Sequence, residues 1–154
     1  MYNSTEPQAL NRAEPCYAAA LRYVSRVLLG GYDDAIRESG LTIAQLDLLA
    51  TVLTHNGPLR PTDLGQLMAM SRSTVTRDLA RLQRDQLVTL MPGNSGRELR
   101  VAVTEQGKQA VLRALPGWAT AQKNLRGRLG ANGIQALLLV YEKLKGGEAS
   151  HDRG

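Results

Sequence analysis

At 154 residues the chain is long enough to bury one ordinary core and too short for two. Phe is absent and only 4% of residues are aromatic, so Leu, Val, Ala and Met must fill the interior, which suits helices better than a large sheet. The formal net charge of +5 fits a polyanionic partner as readily as an ordinary basic enzyme, while the lone Cys16 excludes an intrachain disulfide.

The first 14 residues are polar and carry no apolar signal core, and the longest apolar run, 136–141, is far too short to span a bilayer. A cytoplasmic protein without membrane association is expected. Apolar residues at helical spacing then predict a first helix over 15–39, carrying Tyr17, Leu21, Val24, Val27, Leu28 and Ile36. Gly30 and Gly31 inside it mark a bend or a close approach by another helix, because each costs about 1 kcal/mol against Ala in a helix interior.

Gly40 ends that helix. Thr42 and Gln45 have the spacing of a capping box, and the stripe Ile43, Leu46, Leu49, Ala50 and Leu53 follows until 55–58, His-Asn-Gly-Pro, stops it. Pro61 suits a first helical position and opens a short helix over 61–68. Ala69 and Met70 form a tight turn, and Ser71 caps a fourth helix over 72–86. Its inward face is Val75, Leu79 and Leu82; Arg72, Ser73, Thr76, Arg77 and Arg84 lie on the other.

Next the period changes to two. Residues 87–91 and 97–103 read as strands around the loop 92–96, Pro-Gly-Asn-Ser-Gly. Thr104 caps a fifth helix to about residue 129, which Pro116 should kink. A sixth helix, 132–145, carries Ile134, Leu137, Leu138, Tyr141 and Leu144.

Short helix, tight turn, second helix and hairpin, over 59–104, make the pattern of a winged helix-turn-helix, whose second helix enters the DNA major groove. Ser71, Arg72, Ser73, Thr74, Thr76 and Arg77 supply hydroxyls and guanidinium groups suited to phosphates and base edges. Residues 60–104 hold seven Arg against four acids, so more than half of the formal excess charge falls in under a third of the chain. A merely solvated helix face would not be followed by such a hairpin, and an Arg at the hairpin tip, Arg97, suits a narrow minor groove.

Three segments carry a family resemblance: L-T-I-A-Q-L-D-L-L-A-T at 41–51, S-R-S-T-V-T-R-D-L-A-R-L at 71–82 and G-R-E-L-R-V-A-V-T-E-Q-G at 96–107. Through them the chain resembles the MarR family of winged helix-turn-helix transcription regulators over about 16–145. The fold implied is mainly α with a small β-hairpin wing, in a single domain over 1–154. Within it, 15–40 and 105–145 would form a helical dimerisation region and 41–104 the DNA-binding region. The resemblance implies a homodimer on a pseudopalindromic double-stranded operator. It also implies a ligand crevice where the dimer helices meet the winged part.

The residues expected to touch DNA are Arg60, Pro61, Thr62, Ser71, Arg72, Ser73, Thr74, Thr76, Arg77, Arg81, Arg97 and Arg100. Three positions depart from the family pattern. Ser95 stands where the wing usually has an Asp two residues before the tip Arg. Arg60 stands where Ser or Thr usually caps the third helix, which weakens the cap and adds a phosphate contact. Gly30 and Gly31 replace larger residues.

Cys16 matches in position the redox-sensing cysteine of the peroxide-responsive branch, beside the plainer reading of a small apolar residue at a dimer contact. Tyr17, Tyr23 and Trp118 are either core or the walls of a pocket for a small aromatic or phenolic effector, with Arg22 or Arg26 as its anion partner. The expected function is a dimeric regulator, in the sense of a repressor released by such a ligand or by oxidant. The alternative is a winged-helix protein-interaction module without DNA binding, against which the basic face argues. No phosphate loop, zinc spacing or H-E-x-x-H helix is present, so no enzyme, metal or cofactor is expected.

Overall fold

A computed structural model of the chain describes residues 16–93 and 98–148. Its elements are α1 (Tyr17–Ile36), α2 (Ile43–Thr54), α3 (Pro61–Leu67), α4 (Arg72–Arg84), strands β1 (Val88–Pro92) and β2 (Leu99–Val103), and α5 (Glu105–Glu148). A one-turn 3-10 helix, Arg37–Ser39, follows α1. The strands pair antiparallel with Val88 opposite Val103 and Leu90 opposite Val101. Leu59 adds a bridge to the outer side of β2, where the Val101 amide donates to its carbonyl at 2.9 Å.

The core sits in the winged part. Leu46, Leu48 and Leu49 of α2 meet Leu64, Val75, Leu79 and Leu82 of the helix pair, with Val88 and Val101 of the hairpin beneath them. Ile36 at the end of α1 and Ala110, Val111 and Ala114 early in α5 complete it, so both long helices are rooted in the same core.

Local signals set the helix starts. Thr42 Oγ1 accepts the Gln45 amide at 3.2 Å and Gln45 Oε1 accepts the Thr42 amide at 2.9 Å, the reciprocal pair expected of a capping box. Thr104 caps α5: its hydroxyl accepts the Gly107 amide at 2.9 Å and donates to the Gln86 carbonyl at 2.7 Å. One link is long in sequence: the Asp33 carboxylate of α1 accepts the amide of Ile43 at 2.6 Å, fastening α1 to the first turn of α2.

Two expectations for the long helices are corrected. The backbone stays helical through Pro116, and the break falls instead at Gly130 (φ 64°, ψ 178°), a conformation in practice restricted to glycine. Pro116 removes one amide donor, but the buried Ala114 and Ala121 on either side hold that stretch against its neighbours. Gly130 divides α5 into a long arm before it and a C-terminal arm after it, the latter in the place predicted for a sixth helix. Second, α1 runs unbroken through Gly30 and Gly31, and a side chain at either would meet nothing within 4 Å among the described residues. The close approach lies at Gly117 instead, where a Cβ would strike the carbonyl of Ala35.

Candidate nucleic-acid interface

The helix-turn-helix is held by short-range bonds. Gly65 O accepts the Met70 amide at 2.9 Å across the turn, in which Ala69 takes a left-handed conformation (φ 51°). Ser71 then caps α4, accepting the Thr74 amide at 3.3 Å, and its hydroxyl lies 2.8 Å from that of Thr74. Burying Val75, Leu79 and Leu82 turns Arg72, Ser73, Thr76 and Arg77 outward, and all four are exposed. Thr74 is half-buried by its capping role.

The arginines of this face fall into two groups. Arg72 and Arg81 make no ion pair among the described residues, and Arg77 approaches Asp78 only to 4.0 Å. Arg60 and Arg100 are tied down. Arg60 grips Asp63 through Nε (2.9 Å) and Nη2 (2.6 Å), and Asp63 accepts the Arg60 amide at 3.0 Å. The carboxylate of Glu98 lies 3.6 Å from Arg60 and 2.9 Å from Arg100. Arg100 also donates to the Pro58 carbonyl at 3.4 Å.

The start of α3 is therefore secured, by Asp63 reaching back rather than by a side-chain cap at Arg60 itself. These contacts hold the Asp63 carboxyl at about 2, well below its usual 3.8, chiefly through the hydrogen bond from the Arg60 side chain. A groove of about 490 Å³ between α3, α4 and the hairpin gathers Arg60, Pro61, Thr62, Arg72 and Thr76 together with Glu98 and Leu99. Arg97 and Ser95, expected at the wing tip, lie outside the described residues.

A second cavity, of about 560 Å³, opens where α1, α2 and α5 meet. Leu29 and Tyr32 of α1, Asp47 of α2, and Val111, Leu115 and Trp118 of α5 line it. Of the residues expected at a ligand pocket, Trp118 is there; Cys16, Tyr17, Arg22, Tyr23 and Arg26 are not among its lining residues. They stand earlier on α1, where Tyr17 and Tyr23 are more than 60% exposed. Sequence reasoning missed Asp63, which the Arg60-x-x-Asp63 spacing could have flagged. It also missed Tyr32, Asp47 and Glu98, for which no local signal exists.

A sequence model described as the MarR family matches residues 39–98. In structure, the chain is similar to the M. tuberculosis transcriptional regulator MosR in complex with DNA, with TM-score 0.78 and 28% identity, covering 89% of this chain and 99% of that one. It is also similar to the transcriptional repressor CouR bound to a 23-mer DNA duplex (TM-score 0.74, 21% identity, 84% and 92% covered). For apo MarR from E. coli the values are 0.66, 18%, 85% and 98%. At these last two identities the likeness is one of fold. No curated protein sequence matches the chain.

Proposed function

We propose that this chain is a MarR-type winged-helix, DNA-binding transcription regulator that acts as a homodimeric repressor on a pseudopalindromic duplex. The observation that carries the reading is α4: one face is locked into the core by Val75, Leu79 and Leu82, and the other presents Arg72, Ser73, Thr76 and Arg77 to solvent. A helix so mounted can enter a major groove without rearranging the protein. Arg72 and Ser73, in its first turn, are placed for base edges; Arg77, one turn on, is placed for a phosphate.

The homodimer is supported by what the chain leaves uncovered. Tyr17, Leu21 and Tyr23 on α1 are exposed, as are Leu137, Leu138, Leu139, Val140, Tyr141 and Leu144 on the C-terminal arm. Large apolar side chains exposed in such number on two helices are what an interface between two copies of the chain would cover. MosR and CouR are themselves seen on DNA, which agrees with the placement of α4. The crevice between α1, α2 and α5 is the seat proposed for an effector, because a ligand there would touch both the long helices and the winged part.

The test is selection of duplexes from a random pool, followed by anisotropy titrations of the selected duplex and an unrelated one at several salt concentrations. Arg77→Ala should weaken both and lower the salt slope by about 0.9, the value of one phosphate contact. Arg72→Ala should cost about 1–3 kcal/mol on the selected duplex and relax one position of it. Failure to enrich any duplex, or a slope unmoved by Arg77→Ala, overturns the reading.

A further inference from the structure

The cavity between α1, α2 and α5 has an uneven chemistry. Its walls are mostly apolar, and its volume of about 560 Å³ is that of an ordinary small-molecule site. Two aromatic side chains face it, Trp118 and Tyr32, and one charged side chain, Asp47. No Lys or Arg is among its lining residues. The Asp47 carboxylate makes no ion pair or hydrogen bond among the described residues; only its backbone carbonyl is engaged, by the Thr51 hydroxyl at 2.8 Å.

We propose that this crevice binds an apolar cation, an aromatic or quaternary onium ion, held by the Asp47 carboxylate and the faces of Trp118 and Tyr32. An indole face attracts a cation through its quadrupole, an attraction that persists at a partly exposed site such as this one. A carboxylate at the same cavity adds direct Coulomb attraction, and repels the carboxylates and phenolates that an arginine-lined pocket would take. Apolar walls from Leu29 and Leu115 supply the remaining contact for a ligand with a hydrocarbon body.

The surroundings agree with this sign of charge. Asp47 is exposed to solvent on one side, and the protein packed on its other side pushes the carboxyl above its ordinary value. The neighbouring carboxylate, Asp33, is occupied by the Ile43 amide at 2.6 Å. One cation acts nearby: Arg126, outside the cavity lining, favours the ionised form of Tyr32, but burial outweighs it and keeps that phenol neutral. Naming the occupant an effector rests on the regulator reading above; its binding does not.

Trp118 is the one tryptophan of the sequence, so its fluorescence reports on this crevice directly. Tetraphenylphosphonium and tetraphenylborate have the same shape and opposite charge. The full-length protein should bind the phosphonium at least about tenfold more tightly than the borate, with quenching of Trp118. Asp47→Asn should reduce that preference about tenfold, and Asp47→Glu should restore most of it. Calorimetry gives the same ratio independently of the fluorophore. Equal or tighter binding of the borate, a preference unmoved by Asp47→Asn, or phosphonium binding that leaves Trp118 unquenched overturns the proposal. The parent protein's preference between the two ions decides the matter even if a variant fails to fold. A protein that takes the cation but no duplex overturns the regulator reading alone; one that binds duplex and not the cation overturns only the crevice.

Discussion

Glu98, at the loop end of the hairpin just before β2, lies with its Oε1 3.6 Å from the guanidinium of Arg60 at the start of α3, while its other oxygen takes Arg100 at 2.9 Å. One carboxylate thus joins the loop end of the hairpin to the helix-turn-helix. Glu98 thereby supplies a brace from the described part of the hairpin. The pairs are partly exposed, so their worth lies in position more than in stability.

Glu98→Gln should therefore change folding stability by less than about 1 kcal/mol. It should also loosen Arg100, leave Arg60 to Asp63 alone, and remove a negative charge from the DNA-facing groove. Affinity for unrelated duplex should rise about fivefold, the equivalent of roughly 1 kcal/mol, while discrimination between selected and unrelated duplex falls by a similar factor. Anisotropy titrations on both duplexes check it. Parental discrimination in the variant would show that Glu98 positions nothing.

Asp63 gives a prediction in pH. Its folded value, about 2, lies below the ordinary 3.8 because Arg60 holds the charged form. A depressed carboxyl stabilises the fold fully above its unfolded value and loses that contribution as pH falls toward the folded one. Asp63→Asn should accordingly lower the urea midpoint at pH 6, and the deficit against the parent should be clearly smaller at about pH 3. A deficit that is the same at both pH values means that the Arg60 contact contributes no charge-dependent stability.

Gly117 is where α5 presses on the end of α1. A Cβ there would lie 2.8 Å from the carbonyl carbon of Ala35 and closer still to its oxygen, and neither is the tip of a side chain that could swing away. Gly117→Ala should cost about 1–3 kcal/mol, lowering Tm by roughly 3–10 °C. Gly30→Ala, with open space around it in the chain, should instead gain up to about 1 kcal/mol from helix propensity. Thermal unfolding followed by circular dichroism separates the two, and equal effects would refute the packing argument.

The C-terminal arm of α5 exposes Leu137, Leu138, Leu139, Val140, Tyr141 and Leu144. A helix of this length is marginal in water without a partner to cover it. A chain ending at Leu129 should lose the proposed homodimer, sedimenting as a monomer or aggregating, and its affinity for a two-half-site duplex should drop at least tenfold. A truncated protein that still sediments as a dimer and binds with parental affinity would rule out the arm as the dimer contact.

Local residue order dictates the helix starts, the alternation of helix and hairpin, and the solvent face of α4. Each rests on residues within about four positions of one another: Thr42 with Gln45, Ser71 with Thr74, Thr104 with Gly107, and the spacing of Val75, Leu79 and Leu82. Bonds and stripes of that range are written in local order, so they survive being read one window at a time. Only the folded chain joins the hairpin to α3, because Glu98 reaches Arg60 once the hairpin folds against that helix. Tertiary structure decided that α5 breaks at Gly130 and not at Pro116, since packing on both sides of the proline outweighs one missing amide donor. It also decided the crevice, whose Tyr32, Asp47 and Trp118 come from three helices and meet only because a shared core of Ile36, Leu46 and Val111 draws those helices together. Burial is insensitive to distance along the chain, and that is why partners chosen by it leave no mark in the local sequence.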